Sequence, residues 1–191
     1  QDGSLIMGIY GADYGDDVCQ AFSVVSRDGG ETWGEVAVIA KDSEQTISFE
    51  EPSICEVSDG TLMAAIRAGT SGKYGYLYTA FSYDGGHSWR DLSETPMWGH
   101  PPTVNLLRDG RLLCCYGYRR EPYGVRACFS EDGGRTWRID KEIVIRDDGR
   151  SRDVGYPATV QLDDGSLYTV YYIHGDDGIR HIAGTNWELA T

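Results

Sequence analysis

Positive charge is scarce in this chain of 191 residues. It carries 17 Lys and Arg against 30 Asp and Glu, which gives a formal net charge of −13. Nucleic acids and anionic membrane surfaces bind proteins through clustered basic side chains, so the composition argues against both as partners. The sequence also lacks an apolar run of about 18 residues, which excludes a membrane-spanning helix.

The spacing that metal-binding or disulfide-forming cysteines usually show is also missing. The cysteines are odd in number, and each lies in an apolar, strand-like run. They are Cys19, Cys55, Cys114, Cys115 and Cys128. This pattern predicts buried free thiols rather than a disulfide framework or a metal site.

No long stretch shows a helical period, whereas glycine and aromatic residues are abundant. The chain has 25 Gly, 13 Tyr, 5 Trp and 4 Phe. Glycine permits tight turns, and aromatic side chains supply apolar area for a core. The composition therefore favours a folded domain of many short strands over disorder.

Three landmarks recur along the chain at intervals of about 50 residues, which indicates internal repeats. An Asp-Gly pair precedes an apolar run at Asp2-Gly3, Asp59-Gly60, Asp109-Gly110 and Asp164-Gly165. A tryptophan recurs at Trp33, Trp89, Trp137 and Trp187. A proline precedes the glycine of three repeats, at Pro52, Pro102 and Pro157. We expect a single domain of four repeats, near residues 1–46, 47–96, 97–150 and 151–191.

The third repeat shows how each unit is built. Its apolar runs predict strands A to D at 103–107, 112–118, 124–129 and 142–145. Short strands separated by tight turns are typical of antiparallel meanders. A four-stranded antiparallel unit repeated at this spacing is a β-propeller blade, so the predicted fold is an all-β propeller of about four repeats.

The turn between strands C and D carries the most specific motif, Ser-X-Asp-Gly-Gly-X-Thr/Ser-Trp. Its Ser, Asp and Trp residues are Ser26, Asp28, Trp33, Ser82, Asp84, Trp89, Ser130, Asp132 and Trp137. The Ser and Asp oxygens can accept hydrogen bonds from nearby amides, and glycine supplies positive φ. The tryptophan then packs the turn against the blade. A degenerate fourth copy is expected at Gly184–Trp187.

Blade topology predicts on which face a functional site would lie. The A–B and C–D turns share one face of a meander, so a site would use the opposite face. The strand ends on that opposite face carry Glu50, Glu51, His100, Tyr156, Tyr10, Arg67, Tyr118, Arg119, Tyr172, His174, Arg126 and Arg180. Several of these residues are arginines, whose planar guanidinium groups bind carboxylates in a bidentate manner.

The three motifs match the Asp-box repeat, and the chain resembles the sialidase (neuraminidase) superfamily over essentially its whole length. That resemblance implies a six-bladed propeller, of which this chain is similar to the last four blades. It also implies that Asp28, Asp84 and Asp132 form turns and are not catalytic acids.

The resemblance extends to individual residues. In sialidases a tyrosine is the nucleophile, a glutamate activates it, and three arginines hold the carboxylate of the sugar. Tyr156 resembles the nucleophile, Glu51 the activating acid and Arg67 the second arginine. The other substrate-binding candidates are Arg126 or Arg119, as the third arginine, and His100. A neutral phenol avoids the repulsion between a carboxylate nucleophile and the carboxylate of the substrate.

Each assignment has a structural alternative. Glu51 could be a solvated loop acid, and Arg67 could pair with a carboxylate of its own blade. Tyr156 could simply pack over the channel, and it precedes Pro157, where sialidases usually have a small polar residue. His100 could make loop hydrogen bonds only.

The first arginine and the catalytic Asp of the family lie in its first blades, which have no match here. We therefore expect a fragment of a longer propeller, with a closed four-bladed ring or an assembly of chains as alternatives. An open edge blade could also drive self-association.

Three functions remain open. The first is retaining exo-cleavage of a terminal sialic acid or a related acidic sugar, and the second is non-catalytic glycan binding. The third is a purely structural repeat module. In the first two the partner is a carbohydrate, and no metal or other cofactor is expected because displacement by tyrosine needs none.

Overall fold

Short apolar runs between glycine-rich turns form strands throughout the computed structural model, which describes residues 3–34, 36–58, 60–70 and 73–189. Within those ranges the only helix is a short 3-10 helix at Ile139–Lys141, and the all-β prediction is confirmed. No helix of the described residues is long and apolar enough to span a membrane. Two predicted repeat landmarks, Asp2 and Asp59, lie outside the described residues.

Two antiparallel sheets occupy the first half of the chain. The first has the order β1-β2-β3, formed by β1 (Leu5–Gly11), β2 (Gln20–Ser26) and β3 (Ala37–Ala40). The second has the order β4-β5-β7-β8, and β6 pairs with β5. Its strands are β4 (Ser48–Ser58), β5 (Thr61–Thr70), β6 (Lys73–Tyr74), β7 (Tyr76–Ser82) and β8 (Arg90–Trp98).

Two further antiparallel sheets follow. The third has the order β12-β11-β10-β9, formed by β9 (Pro102–Leu106), β10 (Leu112–Tyr118), β11 (Tyr123–Ser130) and β12 (Ile143–Gly149). The fourth has the order β13-β14-β15, formed by β13 (Gly155–Gln161), β14 (Leu167–His174) and β15 (Arg180–Trp187). Strand β12 begins one residue later than the predicted strand at 142–145, after the 3-10 helix, and it extends to Gly149.

The chain divides into two compact units between Pro96 and Met97. Alanines such as Ala21, Ala64 and Ala80 line the core of the first unit, where their small size permits close packing around larger side chains. The core of the second unit forms two clusters, which comprise Leu107, Leu113, Cys115, Ala127 and Leu167, and Val125, Val154, Tyr171 and Ile173.

All five cysteines are free thiols. Cys114, Cys115 and Cys128 are buried, whereas Cys19 and Cys55 are half-buried. Burial raises the pKa of Cys115 to about 12, which keeps this thiol protonated and chemically inert at neutral pH.

The serine hydroxyl is the centre of each Asp-box turn. In the second box Ser82 Oγ accepts a hydrogen bond from the Gly86 amide at 2.9 Å and donates one to Asp84 Oδ1 at 2.8 Å. Asp84 in turn accepts hydrogen bonds from the amide and hydroxyl of Ser88. The same pattern joins Ser26, Asp28, Gly30 and Thr32, and also Ser130, Asp132, Gly134 and Thr136.

The second box also connects two sheets of the first unit. Trp89 Nε1 donates a hydrogen bond to Ser23 Oγ of β2 at 2.8 Å, and Ser23 Oγ donates one to the Gly86 carbonyl at 3.1 Å. Ser23 is fully buried. The tryptophan of one repeat is therefore bonded to the sheet of the preceding repeat.

The expected fourth box at Gly184–Trp187 is wrong. These residues lie inside strand β15, and Trp187 pairs with Leu167. The corresponding pairs in the other sheets are Leu5↔Ser26, Leu62↔Ser82 and Leu112↔Ser130. Trp187 thus takes the place of the box serine, and its Nε1 donates to Thr169 Oγ1 of the neighbouring strand at 2.9 Å.

Gly117 allows strand β13 to approach β10 in the second unit. A Cβ at this position would lie 2.6 Å from the Gly155 Cα, 2.6 Å from the His100 carbonyl oxygen and 2.8 Å from the Val154 carbonyl oxygen. All three atoms belong to the backbone, so they cannot move aside as a flexible side chain can. The residue directly after Gly155 is Tyr156, so Gly117 helps to position that tyrosine.

We expect Asp84→Asn to make unfolding less sensitive to acid. Hydrogen bonds from Ser88 lower the pKa of Asp84 to about 2, below its ordinary value of 3.8. The resulting stabilisation is present above about pH 4 and is lost as pH falls through the folded-state pKa, since the unfolded chain then binds more protons. Urea unfolding between pH 6 and pH 2 should show a lower midpoint at pH 6 and a shallower pH dependence for the variant.

The matched control for this measurement is Asp13→Asn, because Asp13 is exposed and its carboxylate makes no hydrogen bond to any described residue. Equal pH profiles for Asp84→Asn and the unmodified chain would contradict the expectation.

We expect Gly117→Ala to destabilise the chain by about 1–3 kcal/mol, the usual cost of overpacking. Gly11→Ala is the control, since a Cβ there would meet no atom within 4 Å. Chemical denaturation of both variants measures the difference. A Gly117→Ala variant as stable as Gly11→Ala would show that the backbone contact is not tight.

Candidate functional site

Glu51 and Tyr156 occupy equivalent irregularities in the first strand of their sheets. The β4–β5 register shifts between Glu50 and Ser53, and the β13–β14 register shifts between Gly155 and Ala158. The φ angle of Glu51 is 49° and that of Tyr156 is 52°. Non-glycine residues in this left-handed region cost about 1–3 kcal/mol each and concentrate at functional sites.

Glu51 lies in the first unit, where Arg67 binds it. Arg67 Nη1 donates to Glu51 Oε2 at 2.9 Å, and Arg67 Nε lies 3.3 Å from Glu50 Oε2. The three side chains are mostly buried, with exposed fractions between 14% and 24%. Arg67 therefore orients Glu51, and a substrate carboxylate would have to compete with two protein carboxylates for it.

Tyr10 belongs to the same cluster. Tyr10 occupies in the first sheet the position that Arg67 occupies in the second. Each lies five residues after the leucine that pairs with the box serine, which is Leu5 in the first sheet and Leu62 in the second. Burial raises the pKa of Tyr10, and the negative charges of Glu51 and Glu50 raise it further. Sequence topology includes Tyr10 among the face residues, but it offers no signal that the charge of Glu51 acts on this phenol.

Tyr156 lies in the second unit and is 52% exposed. Its ring centre is 5.9 Å from that of Tyr172, with the planes tilted by 34°. Tyr172 Oη donates a hydrogen bond to Asp153 Oδ1 at 2.7 Å. The exposed ring of Tyr156 therefore lies next to Tyr172, which its hydrogen bond to the Asp153 carboxylate holds in place.

Arg119 and Arg180 complete this second cluster. Arg119 Nε donates to the Val154 carbonyl at 3.0 Å, and its Nη2 donates to Tyr172 Oη at 3.4 Å. Arg180 forms an ion pair with Asp153. Hydrogen bonds from Tyr172 and Arg180 lower the pKa of Asp153. Of the predicted site residues, the structure therefore groups Tyr156 with Arg119, through Tyr172.

Arg126 lies in a different environment within the second unit. Its Nη1 donates to Glu142 Oε2 at 2.5 Å, and Tyr116 Oη donates to Glu142 Oε1 at 2.5 Å. The Arg126 Cζ lies 3.6 Å from the centre of the Tyr118 ring. Burial, together with the bond to Glu142, raises the pKa of Tyr116 well above its ordinary value. This arrangement neutralises Arg126 inside its own blade.

His100 is fully buried, so its ring is not accessible to a ligand in this structure. The ring packs edge-on against Trp98, with centres 5.5 Å apart. The backbone amide of His100 donates to the Gly117 carbonyl at 2.8 Å. His100 therefore supports the loop that precedes β9.

The part of the chain that the structure describes contains no group of three or more His, Cys, Asp or Glu side chains arranged to hold a metal ion. The chemistry of both clusters is that of carboxylates, phenols and guanidinium groups. Such groups can bind and orient a polar ligand and transfer protons.

We expect Arg126→Ala to lower stability by about 3 kcal/mol, because it leaves the carboxylate of Glu142 largely buried without its cation. The exposed pair of Arg138 with Asp140 offers a matched control, and Arg138→Ala should cost less than about 1 kcal/mol. Chemical denaturation of both variants measures the difference. Equal stabilities would mean that Arg126 is not a structural residue.

Comparisons with known proteins place this geometry in context. The family model described as a BNR repeat-like domain matches residues 1–169. None of the curated protein sequences matches the chain significantly. A protein of unknown function from Dyadobacter fermentans is 31% identical, with a TM-score of 0.88, and the match covers 100% of this chain and 51% of that one.

Two enzymes of known activity share the fold at lower identity. An α-L-arabinofuranosidase of Fusarium graminearum, solved with arabinobiose, is 17% identical, with a TM-score of 0.69 over 99% of this chain and 60% of its own. A sialidase of Trypanosoma rangeli, solved with sialic acid, is 16% identical, with a TM-score of 0.65 over 100% of this chain and 30% of its own.

These structures confirm the propeller prediction, and the four sheets are blades of a partial β-propeller. The chain spans between 30% and 60% of the length of these three proteins. Because its family model covers most of the sequence, the chain belongs to the BNR repeat-like family.

Proposed function

We propose that this chain forms part of a glycoside hydrolase that removes a terminal sialic acid or a related acidic sugar, with retention, through Tyr156. The observation that carries the proposal is the shared left-handed conformation of Glu51 and Tyr156 at equivalent strand positions. In one unit this conformation presents a carboxylate, and in the other an exposed phenol.

The chemistry follows two displacements. The Tyr156 oxygen attacks the anomeric carbon while the bond to the leaving oxygen breaks; the phenolic proton passes to a base, and a general acid protonates the leaving oxygen to give the alcohol. A water molecule then attacks the same carbon and gives a proton to the conjugate base of that acid, the bond to Tyr156 breaks, and the phenol regains the proton held by the first base. Two inversions give net retention.

Glu51 is the proposed base, and its pairing with Tyr156 rests on the resemblance to sialidases. Arg67 would act as a positioning residue for Glu51, since its guanidinium is bonded to that carboxylate. Arg119 and Tyr172 would hold the loop and ring beside Tyr156.

The first test is hydrolysis of an aryl sialoside by the unmodified chain, by Tyr156→Phe and by Tyr168→Phe as control. Tyr168 is another exposed tyrosine of the same sheet, 40% exposed. We expect Tyr156→Phe to lose at least about 100-fold in kcat, because loss of the nucleophile should cost no less than loss of a general acid or base. Tyr168→Phe should retain full activity.

A mechanism-based probe locates the nucleophile independently. A 3-fluoro sialosyl fluoride should leave a covalent adduct on the peptide that contains Tyr156, detectable by mass spectrometry. An adduct at another residue, or full activity of Tyr156→Phe, would contradict the proposal.

Glu51→Gln tests the base. If Glu51 acts on Tyr156, its effect on kcat should largely vanish in the Tyr156→Phe background, because the two residues then act as a unit. Additive losses would show that they act separately.

Non-catalytic glycan binding is a second candidate function. It is favoured because two candidate arginines already pair with carboxylates of the protein and so are not free to hold a substrate carboxylate for catalysis. Arg67 and Arg126 each pair with a carboxylate, and the exposed ring of Tyr156 beside Tyr172 can stack on a sugar. Saturable binding of a sialoside without hydrolysis or adduct formation would select this function.

A further inference from the structure

A leucine at the same place in each of the four sheets makes their faces comparable, position by position. This reference leucine pairs with the box serine in three sheets and with Trp187 in the fourth, and it is Leu5, Leu62, Leu112 or Leu167. Side chains alternate along a strand, so the leucine and the second residue after it lie on one side of the sheet. We name that side the leucine face and the other side the opposite face.

Neighbouring sheets pack in the same way within each unit. In the second unit, Leu113 on the opposite face of the third sheet clusters with Leu167 on the leucine face of the fourth. In the first unit, Ile6 on the opposite face of the first sheet and Leu62 on the leucine face of the second both lie within 3.6 Å of where a Cβ of Gly86 would be. The opposite face of one sheet thus packs against the leucine face of the next.

The opposite face of the fourth sheet is exposed where the same positions of other sheets are buried. The third residue after the reference leucine is Ala65 in β5 and Cys115 in β10, both 0% exposed, whereas Val170 in β14 is 38% exposed. On the same face, Val160 is 53% exposed and Ile182 is 75% exposed. This face therefore has the side chains of a core in contact with solvent.

The leucine face of the first sheet is exposed in a corresponding way. Its reference leucine, Leu5, is 45% exposed, whereas the reference leucines of the other three sheets are at most 9% exposed. Met7 and Val38 lie on the same face and are 42% and 47% exposed. The two exposed faces are therefore of the two kinds that pack together inside each unit.

The central rows of both faces lack charged side chains, although the chain has a net charge of −13. In the fourth sheet these rows are Val160, Tyr168 and Asn186, and Ala158, Val170 and Gly184. In the first sheet they are Leu5 and Ser26, Met7 and Val24, and Ile9 and Phe22. Copies of so acidic a chain repel each other, and this repulsion is weakest where the surfaces that meet hold no charge.

We propose that the opposite face of the β13–β15 sheet docks on the leucine face of the β1–β3 sheet in a second copy of this chain. The contact repeats between copies the packing that joins neighbouring sheets inside each unit. Removal of exposed apolar surface from water drives it. Because two different faces meet, the association is head-to-tail rather than a contact of one face with itself. The proposal does not depend on the function proposed above.

The test is sedimentation equilibrium of the unmodified chain and of three lysine variants. Met7→Lys places a charge on the leucine face of the first sheet, and Val170→Lys places one on the opposite face of the fourth. Leu92→Lys is the matched control, because Leu92 is a 38% exposed residue of β8 and belongs to neither face. Each lysine lowers the net negative charge, so a loss of association cannot come from greater overall repulsion.

We expect the unmodified chain and Leu92→Lys to have an average mass that rises above that of one chain as concentration increases. Met7→Lys and Val170→Lys should each associate at least tenfold more weakly, because an unpaired ammonium would be buried in the contact. An equal mixture of these two variants should regain association but stop at two chains, since each variant keeps one unaltered face. Salt should strengthen the association, because it screens the repulsion between copies. Circular dichroism of each variant checks that it is folded.

Four results would overturn the proposal. The first is a single-chain mass for the unmodified chain at about 0.2 mM, which would mean that these faces serve another partner, since specific complexes bind far more tightly than this concentration. The second is unchanged association of Met7→Lys, which would show that the face of the fourth sheet pairs with itself. The third is unchanged association of Val170→Lys, and the fourth is a mixture that associates no better than its two components.

Discussion

The hydrogen bond between a buried serine hydroxyl and a glycine amide is the interaction on which each Asp-box repeat depends. Ser82 Oγ accepts from the Gly86 amide, and this bond places the Gly86 carbonyl where Ser23 of the preceding sheet can donate to it. Trp89 bonds to the same serine. One local turn therefore fixes both the end of a strand and the spacing between two sheets.

Pairing between arginines and carboxylates is the second interaction that organises the described sheets. Arg67 lies between two glutamates, Arg126 faces Glu142, and Arg180 faces Asp153. Carboxylates outnumber cations in this chain, and these three arginines are accordingly paired within the protein. The phenol of Tyr156, by contrast, still faces the solvent, because this side chain is 52% exposed.

The sequence predicted the features that depend on local chemistry. Strands follow from apolar runs, and the three boxes follow from Ser, Asp, Gly and Trp at fixed spacing. Trp187 was misassigned because a tryptophan without the Ser-X-Asp-Gly-Gly residues is compatible with a strand. The bond from Arg126 to Glu142 and the effect of Glu51 on the pKa of Tyr10 depend on strand register and on packing between sheets, which no local pattern encodes.

The bond from Trp89 to Ser23 also bears on how such a protein can change over generations. Donor and acceptor belong to different repeats, so duplicating or deleting one repeat at its boundary separates them. A new copy keeps this bond only if its neighbour supplies a small hydroxyl at the matching strand position. The repeats are thus modules in sequence but are joined in pairs by hydrogen bonds, and gene rearrangements that keep adjacent pairs together should be tolerated best.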